Sequence, residues 1–191
     1  MNDDITIRWN NKILKGFNSA AFGVSLDSIA GYFSFEIVDE AILPLQKISL
    51  PSHSEKIEIY IGETSMLSAY VEKITPVMVS EGRKITISGR SVTSDLIGCH
   101  LPAAMKRSGP ALNVANELLK PFPLIRVEGE ASSEKVDLSA SLGAEYWDTL
   151  EKLGRKIGRL VWSTGDGVIR MGASTPKKSR ITISKSNILS G

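Results

Sequence analysis

Leu67-Ser68-Ala69-Tyr70-Val71-Glu72-Lys73-Ile74-Thr75-Pro76, then Ser80-Glu81-Gly82, then Lys84-Ile85-Thr86-Ile87-Ser88-Gly89-Arg90-Ser91, is the stretch whose reading decides the fold. Both halves alternate apolar and polar residues with a period of two, the pattern of strands that bury one face, and Glu81-Gly82 suits a tight connection. The segment reads as a half-buried β-hairpin. Its second strand is expected to stop at Gly89, whose backbone can reach angles that other residues resist. Ser94-Asp95 is then expected to cap a short helical turn beginning at Leu96.

Working toward the N-terminus, Ile5-Thr6-Ile7-Arg8-Trp9 alternates and meets Asn10-Asn11, a strand followed by a turn, with Lys12-Ile13-Leu14 returning. Phe22 to Asp27 forms a third, weaker run, and Tyr32 to Val38 a strong one, with Phe33, Phe35 and Ile37 on one face. Pro44 interrupts the next stretch, and Lys56 to Gly62 alternates again with Ile57, Ile59 and Ile61 inward. Short strands at regular spacing without a long helix favour closure, so residues 1–98 are expected to form a β-barrel domain.

Beyond Gly98 the texture changes. Ala111, Leu112, Ala115, Leu118 and Leu119 recur at helical spacing between Pro110 and Pro121. Leu124 to Gly129 reads as a strand and Ala131 to Lys135 as a polar loop. Tyr146, Trp147, Leu150, Leu153 and Ile157 form the apolar face of a second helix. Arg159 to Trp162 and Val168 to Met171 flank Ser163-Thr164-Gly165-Asp166-Gly167, a strong hairpin signal. Residues 99–176 are therefore expected to form a small α+β domain with two helices and a hairpin. Residues 177–191, containing Ile181-Thr182-Ile183, are expected to be a strand returning toward a barrel. The fold class is mainly β with an α+β insert.

The run Ile87-Ser88-Gly89-Arg90-Ser91, followed by Asp95-Leu96 and preceded by the Tyr70-Val71 strand, resembles the signature of baseplate hub proteins of contractile-tailed phages, the Mu-type tail hub or late control protein family. Trp9, Phe17 and the strand from Gly31 to Ile37 fall where that family has them. The resemblance implies a structural virion protein that forms homotrimers in its full-length form. It implies a ring between the tail tube and the central spike, through which tape-measure protein and DNA pass. Its implied partners are spike, tail-tube and other baseplate proteins, and its implied location is the virion tail baseplate, assembled in the host cytoplasm. Family members are longer, so this sequence looks like an N-terminal portion or a shortened relative. The motif residues to watch are Gly89, Arg90, Ser91, Asp95 and Leu96, in a structural role.

Composition sets limits that agree with this. With 23 basic and 21 acidic residues the formal charge is +2, too balanced to mark a specific nucleic-acid binder. Residues 1–100 carry 9 Lys+Arg against 12 Asp+Glu and residues 101–191 carry 14 against 9, a shift that fits two modules, although ordinary solvated faces are the favoured reading of it. Cys99 is the one cysteine, which excludes an internal disulfide and a multi-cysteine zinc site, and it reads as a small buried apolar residue. The acidic start Met1-Asn2-Asp3-Asp4 is unlike a secretory signal, and no apolar run approaches the roughly 20 residues that span a bilayer, so no membrane insertion is expected.

Candidate chemistry is thin. His53 sits in a loop, and His100 adjoins Cys99, whose side chain would point the other way in extended chain. Two histidines and one cysteine do not make a usual zinc set, and Gly165-Asp166-Gly167 lacks the lysine and spacing of a phosphate loop. No enzyme, metal or cofactor is expected. Arg90 is expected either to lie free on the surface or to tie the strand end to a carbonyl or to Asp95. The alternative function is a carbohydrate- or peptidoglycan-binding module using Trp147 or Trp162, both of which read better as core. A cell-wall hydrolase is a third class, and it would need two carboxylates across a cleft.

Overall fold

The computed structural model describes residues 5–14, 17–38, 50–79, 82–129 and 133–173. Its longest element is β6 (Thr64–Val79), which pairs antiparallel with β7 (Gly82–Ser91) from Ala69↔Ser91 to Val79↔Gly82. The expected hairpin is therefore present, and the alternation does what it implies: Leu67, Ala69, Val71, Ile85 and Ile87 are buried while Glu72, Lys73 and Arg90 are exposed. The second strand does not stop at Gly89. It runs on to Ser91, and Gly89 holds a negative φ.

β1 (Ile5–Trp9) and β2 (Lys12–Leu14) are joined through Asn10 and Asn11, both at positive φ (43° and 61°), as a two-residue hairpin with matching twist requires. β3 (Ser19–Gly23), β4 (Tyr32–Val38) and β5 (Lys56–Ile61) complete a seven-stranded antiparallel sheet in the order β2-β1-β5-β6-β7-β4-β3. The third strand lies earlier than expected, at Ser19–Gly23, and residues 24–27 are not strand.

The expected closed barrel is corrected: the sheet is open, and its end strands β2 and β3 do not pair with each other. β5 pairs with residues 64–70 of β6 and β7 with residues 69–79, so the two wings of the sheet hang from different halves of one long strand. Alternation reports which face of each strand is buried and is silent on whether end strands meet. The inner face is filled by large side chains instead, with Trp9, Phe33, Phe35, Ile37, Ile57 and Ile59 in one cluster.

After Ser91 the chain makes a 3-10 turn over Val92–Ser94 and a one-turn helix α1 (Asp95–Gly98). The expected cap at Ser94 is absent, because its side chain makes no capping hydrogen bond and its backbone is already helical. Then follow β8 (Met105–Pro110), α2 (Ala111–Leu119), β9 (Arg126–Gly129), β10 (Lys135–Ala140), α3 (Tyr146–Lys156), β11 (Leu160–Ser163) and β12 (Val168–Gly172). β8 pairs with β10, and β12 lies between antiparallel β11 and parallel β9. Both helices and the Ser163-to-Gly167 hairpin match the sequence reading.

β8 and β10 are additions to that reading. Met-Lys-Arg-Ser-Gly-Pro carries no apolar alternation, and its strand state comes from pairing with β10, whose Val136 and Leu138 are buried. The helices bury Ala111, Val114, Ala115, Leu118, Leu119, Leu150 and Leu153 in a second hydrophobic cluster, in which Phe122 meets Tyr146 edge-on at 4.8 Å. Ile29, from the loop between β3 and β4, belongs to that second cluster, as do Val92 and Leu96. Pro44, the Ser80-Glu81 turn and the expected return strand 177–191 lie outside the described residues.

Candidate functional site

The motif residues converge where the end of β7 leaves the sheet for the second cluster. The β6–β7 register slips between Val71↔Gly89 and Lys73↔Ser88, which leaves Glu72 as the extra residue of a β-bulge. A bulge re-aims its side chain, and Glu72 here reaches over Arg90: the guanidinium Nε donates to Oε1 and Oε2 at 2.8 and 3.0 Å. The hydrogen-bond partner of Arg90 is thus Glu72; Asp95 acts on it through space, and both acids raise the already high pKa of the arginine, Glu72 most. Both side chains are about half exposed, so the pair contributes modestly to stability.

Gly89 sits under the same bulge. A Cβ there would lie 1.9 Å from the Tyr70 carbonyl oxygen and 2.8 Å from the Phe33 ring, so only a bare backbone fits. The requirement is space between strands, and not the unusual angle expected from the sequence.

Ser91 turns inward. The Gly31 N–H donates to Ser91 Oγ at 2.9 Å, and the Ser91 N–H donates to the Gly31 carbonyl at 2.8 Å. Ser91 Oγ lies 2.7 Å from Thr93 Oγ1, Thr93 Oγ1 donates to the Ile29 carbonyl at 2.7 Å, and Ser163 Oγ lies 3.3 Å from Thr93 Oγ1. Ser91, Thr93 and Ser163 are all buried. Sequence reasoning singles out Ser91 and misses Thr93 and Ser163; the only signal it offers is a run of hydroxyls after Arg90.

Asp95 opens α1 and lines a hollow of about 510 Å³ with His53, Ser54, Tyr70, Val71 and Glu72. Burial pushes the Asp95 carboxyl up; Arg90 opposes that and Glu72 adds to it. Burial also raises the Tyr70 phenol, with a further rise from Asp95. Leu96, next along, is fully buried in the second cluster. The hollow is open; it holds the His53 imidazole and the Ser54 hydroxyl beside Glu72, which is paired with Arg90, and Asp95, on which Arg90 acts through space.

Other sequence candidates fall outside this junction. Cys99 is exposed, which corrects the expectation of a buried thiol; it follows a four-residue helix too short to cover it. His100 faces Glu145 at 3.8 Å across an isolated β-bridge. Trp147 and Trp162 are half-buried, Trp147 against the second cluster and Trp162 with its ring edge 3.4 Å from where a Cβ on Gly172 would stand. Among the described residues no group of three or more His, Cys, Asp or Glu side chains could hold a metal ion, and no helix is long and apolar enough to cross a membrane.

No model of a known protein family matches the chain. Among curated proteins it is 26% identical over 186 residues to the baseplate hub protein gp44 of Escherichia phage Mu, an alignment covering 92% of this chain and 48% of that one. The chain thus spans about half the length of the curated relative it matches. Among solved structures it shares the fold of the 43 kDa tail protein of prophage MuSo2 from Shewanella oneidensis, with a TM-score of 0.76 and 20% identity over 94% of this chain and 58% of that chain. A tail protein from Neisseria meningitidis MC58 gives a TM-score of 0.71 and 18% identity over 92% of this chain and 52% of that one. The resemblance to baseplate hub proteins read from the hairpin motif is therefore borne out, in sequence by the Mu protein and in fold by these tail proteins.

Proposed function

We propose that this chain is a structural subunit of a phage tail baseplate, acting in its hub. The observation that carries this reading is the similarity to the Mu hub protein across nearly the whole chain. The subunit serves by assembling and has no catalytic task. Copies form a trimeric ring between the tail tube and the central spike, and tape-measure protein and DNA pass through the ring. Its partners are sister copies and spike, tube or other baseplate proteins, and its place is the virion.

We read the chain as a sheet unit over 1–98, an α+β unit over 99–176 and a segment over 177–191 that returns toward the sheet unit; two hydrophobic clusters support the first two, the second cluster also taking in Ile29, Val92 and Leu96 from the first unit. The sheet presents two open ends, β2 and β3, among the described residues, and strand edges of that kind are where neighbouring chains attach. Gly89, Arg90, Ser91, Asp95 and Leu96 serve as the structural joint between the units.

The test is to mix the purified chain with the tail-tube or spike protein from the same source and measure the mass in solution by light scattering. A stoichiometric complex is expected. Absence of any complex with tube and spike proteins, together with turnover of cell-wall material by the chain alone, would overturn the reading.

A further inference from the structure

Of the seven buried polar residues among those described, five gather where the sheet meets the second cluster: Ser68, Ser91, Thr93, Ser94 and Ser163. Their hydrogen bonds have a direction that can be worked out. A threonine hydroxyl has one proton, and Thr93 gives it to the Ile29 carbonyl, which can only accept. The Ser91 and Ser163 hydroxyls, 2.7 and 3.3 Å away, must then both donate to Thr93 Oγ1. Each serine in turn accepts from a backbone amide, Ser91 from Gly31 and Ser163 from Gly165. One side chain thus joins three segments: the loop before β4, the end of β7, and the hairpin between β11 and β12.

The hairpin is held from the sheet side as well. The Ser68 N–H in β6 donates to the Gly165 carbonyl at 2.9 Å. Gly165 has φ +89°, and a Cβ there would meet Val24 Cγ2 at 2.6 Å and the Met66 carbonyl at 2.8 Å, so the turn is pressed directly onto the sheet.

We propose that the Ser91–Thr93–Ser163 hydroxyl cluster is a latch that fixes the angle between the seven-stranded sheet and the α+β unit, with Thr93 as its positioning residue. Ile29, Val92 and Leu96 carry apolar packing from the sheet side into the second cluster, and packing of that kind is non-directional, whereas hydrogen bonds are directional and select one angle. Buried polar networks of this kind specify one arrangement when every member is satisfied. With the latch intact the two units move as one body; with it open, each keeps its own core and the angle between them becomes variable.

Three substitutions test this in the full chain: Thr93→Val removes the hydroxyl at constant shape, Thr93→Ser keeps it, and Ser163→Ala cuts the arm to the hairpin together with the acceptor of the Gly165 N–H. The readouts are amide hydrogen exchange at Ser68 and Gly165, and the distance distribution between spin labels at Ile13→Cys and Leu160→Cys in a Cys99→Ser background, both label sites being exposed. Thr93→Val is expected to speed exchange at both amides about tenfold or more and to broaden the distance distribution, while amides inside each unit stay protected and Thr93→Ser stays near the parent. If Thr93→Val unfolds the whole chain, Ser163→Ala decides through the Ser68 amide and the label distances, with faster Ser68 exchange and a broader distribution expected; the Gly165 amide is left out of that comparison because Ser163 Oγ is its own acceptor. Equal behaviour of Thr93→Val and Thr93→Ser, or unchanged Ser68 exchange and distances in Ser163→Ala, would overturn the latch.

Discussion

Gly89 and Tyr70 face each other so closely across β6 and β7 that a Cβ on the glycine would lie 1.9 Å from the tyrosine carbonyl oxygen. The contact is between backbones, so no rotamer change relieves it. Gly89→Ala is expected to force the strands apart beneath the Glu72 bulge and to cost about 3 kcal/mol, at the upper end of ordinary overpacking. Gly98, with nothing within 4 Å of its missing Cβ, is the control. Gly98→Ala in α1 is expected to be neutral or slightly stabilising. Denaturant midpoints of the two variants measure the difference, and equal midpoints would contradict the packing argument.

Arg90 and Ser91 are neighbours in sequence with opposite energetic weight. Arg90→Gln breaks a half-exposed ion pair with Glu72 and is expected to change stability by less than about 1 kcal/mol, the effect shrinking in high salt. Ser91→Ala strands the buried Gly31 N–H and removes a donor to Thr93, and is expected to cost about 2 kcal/mol regardless of salt. Urea unfolding at low and high ionic strength separates them.

Asp95 gives a dependence on pH. Burial raises its carboxyl pKa in the folded chain, so the folded state holds that proton more tightly than the unfolded state does. Its contribution to stability therefore falls as pH rises from the ordinary carboxylate value, about 4, through the raised folded value, and the full cost applies above that. Asp95→Asn removes the titration. Its stability relative to the parent is expected to be flat below about pH 4, to improve as pH rises through the raised folded value, and to level off above that. A relative stability independent of pH would count against burial as the dominant influence on this group.

Trp147 and Trp162 discriminate between a structural subunit and a glycan-binding module. Trp147 packs against the second cluster and is half-buried, so Trp147→Ala is expected to lower stability by about 2–3 kcal/mol, and the parent is expected to show no binding to peptidoglycan fragments in calorimetry. Binding that disappears in a folded Trp147→Ala or Trp162→Ala chain would favour the module.

Strand positions are legible in the sequence because alternation is a local property: the faces of β1, β4, β5, β6 and β7 follow directly from their residues. Closure is not, since whether β2 meets β3 depends on how β6 divides its length between β5 and β7, a long-range matter that no single strand encodes. β8 stays hidden for a related reason, as Lys106, Arg107 and Gly109 become strand only through pairing with β10. At the joint, Gly89 stands out in the sequence as special, but the physical cause is close approach of two backbones and not its own dihedral angle. Thr93 and Ser163 escape a sequence reading because they are 70 residues apart and meet only in the folded chain. Residue type alone puts Cys99 inside, and the short helix before it leaves it exposed.

The proposed hub role requires this chain to be present in the assembled tail. Immuno-electron microscopy of tail particles purified from the source, using an antibody raised against the chain, tests it most directly. Label concentrated at the distal end of the tail, where the baseplate lies, is the predicted result. Particles complete with baseplate and spike that carry no label and no trace of the chain by mass spectrometry would contradict it.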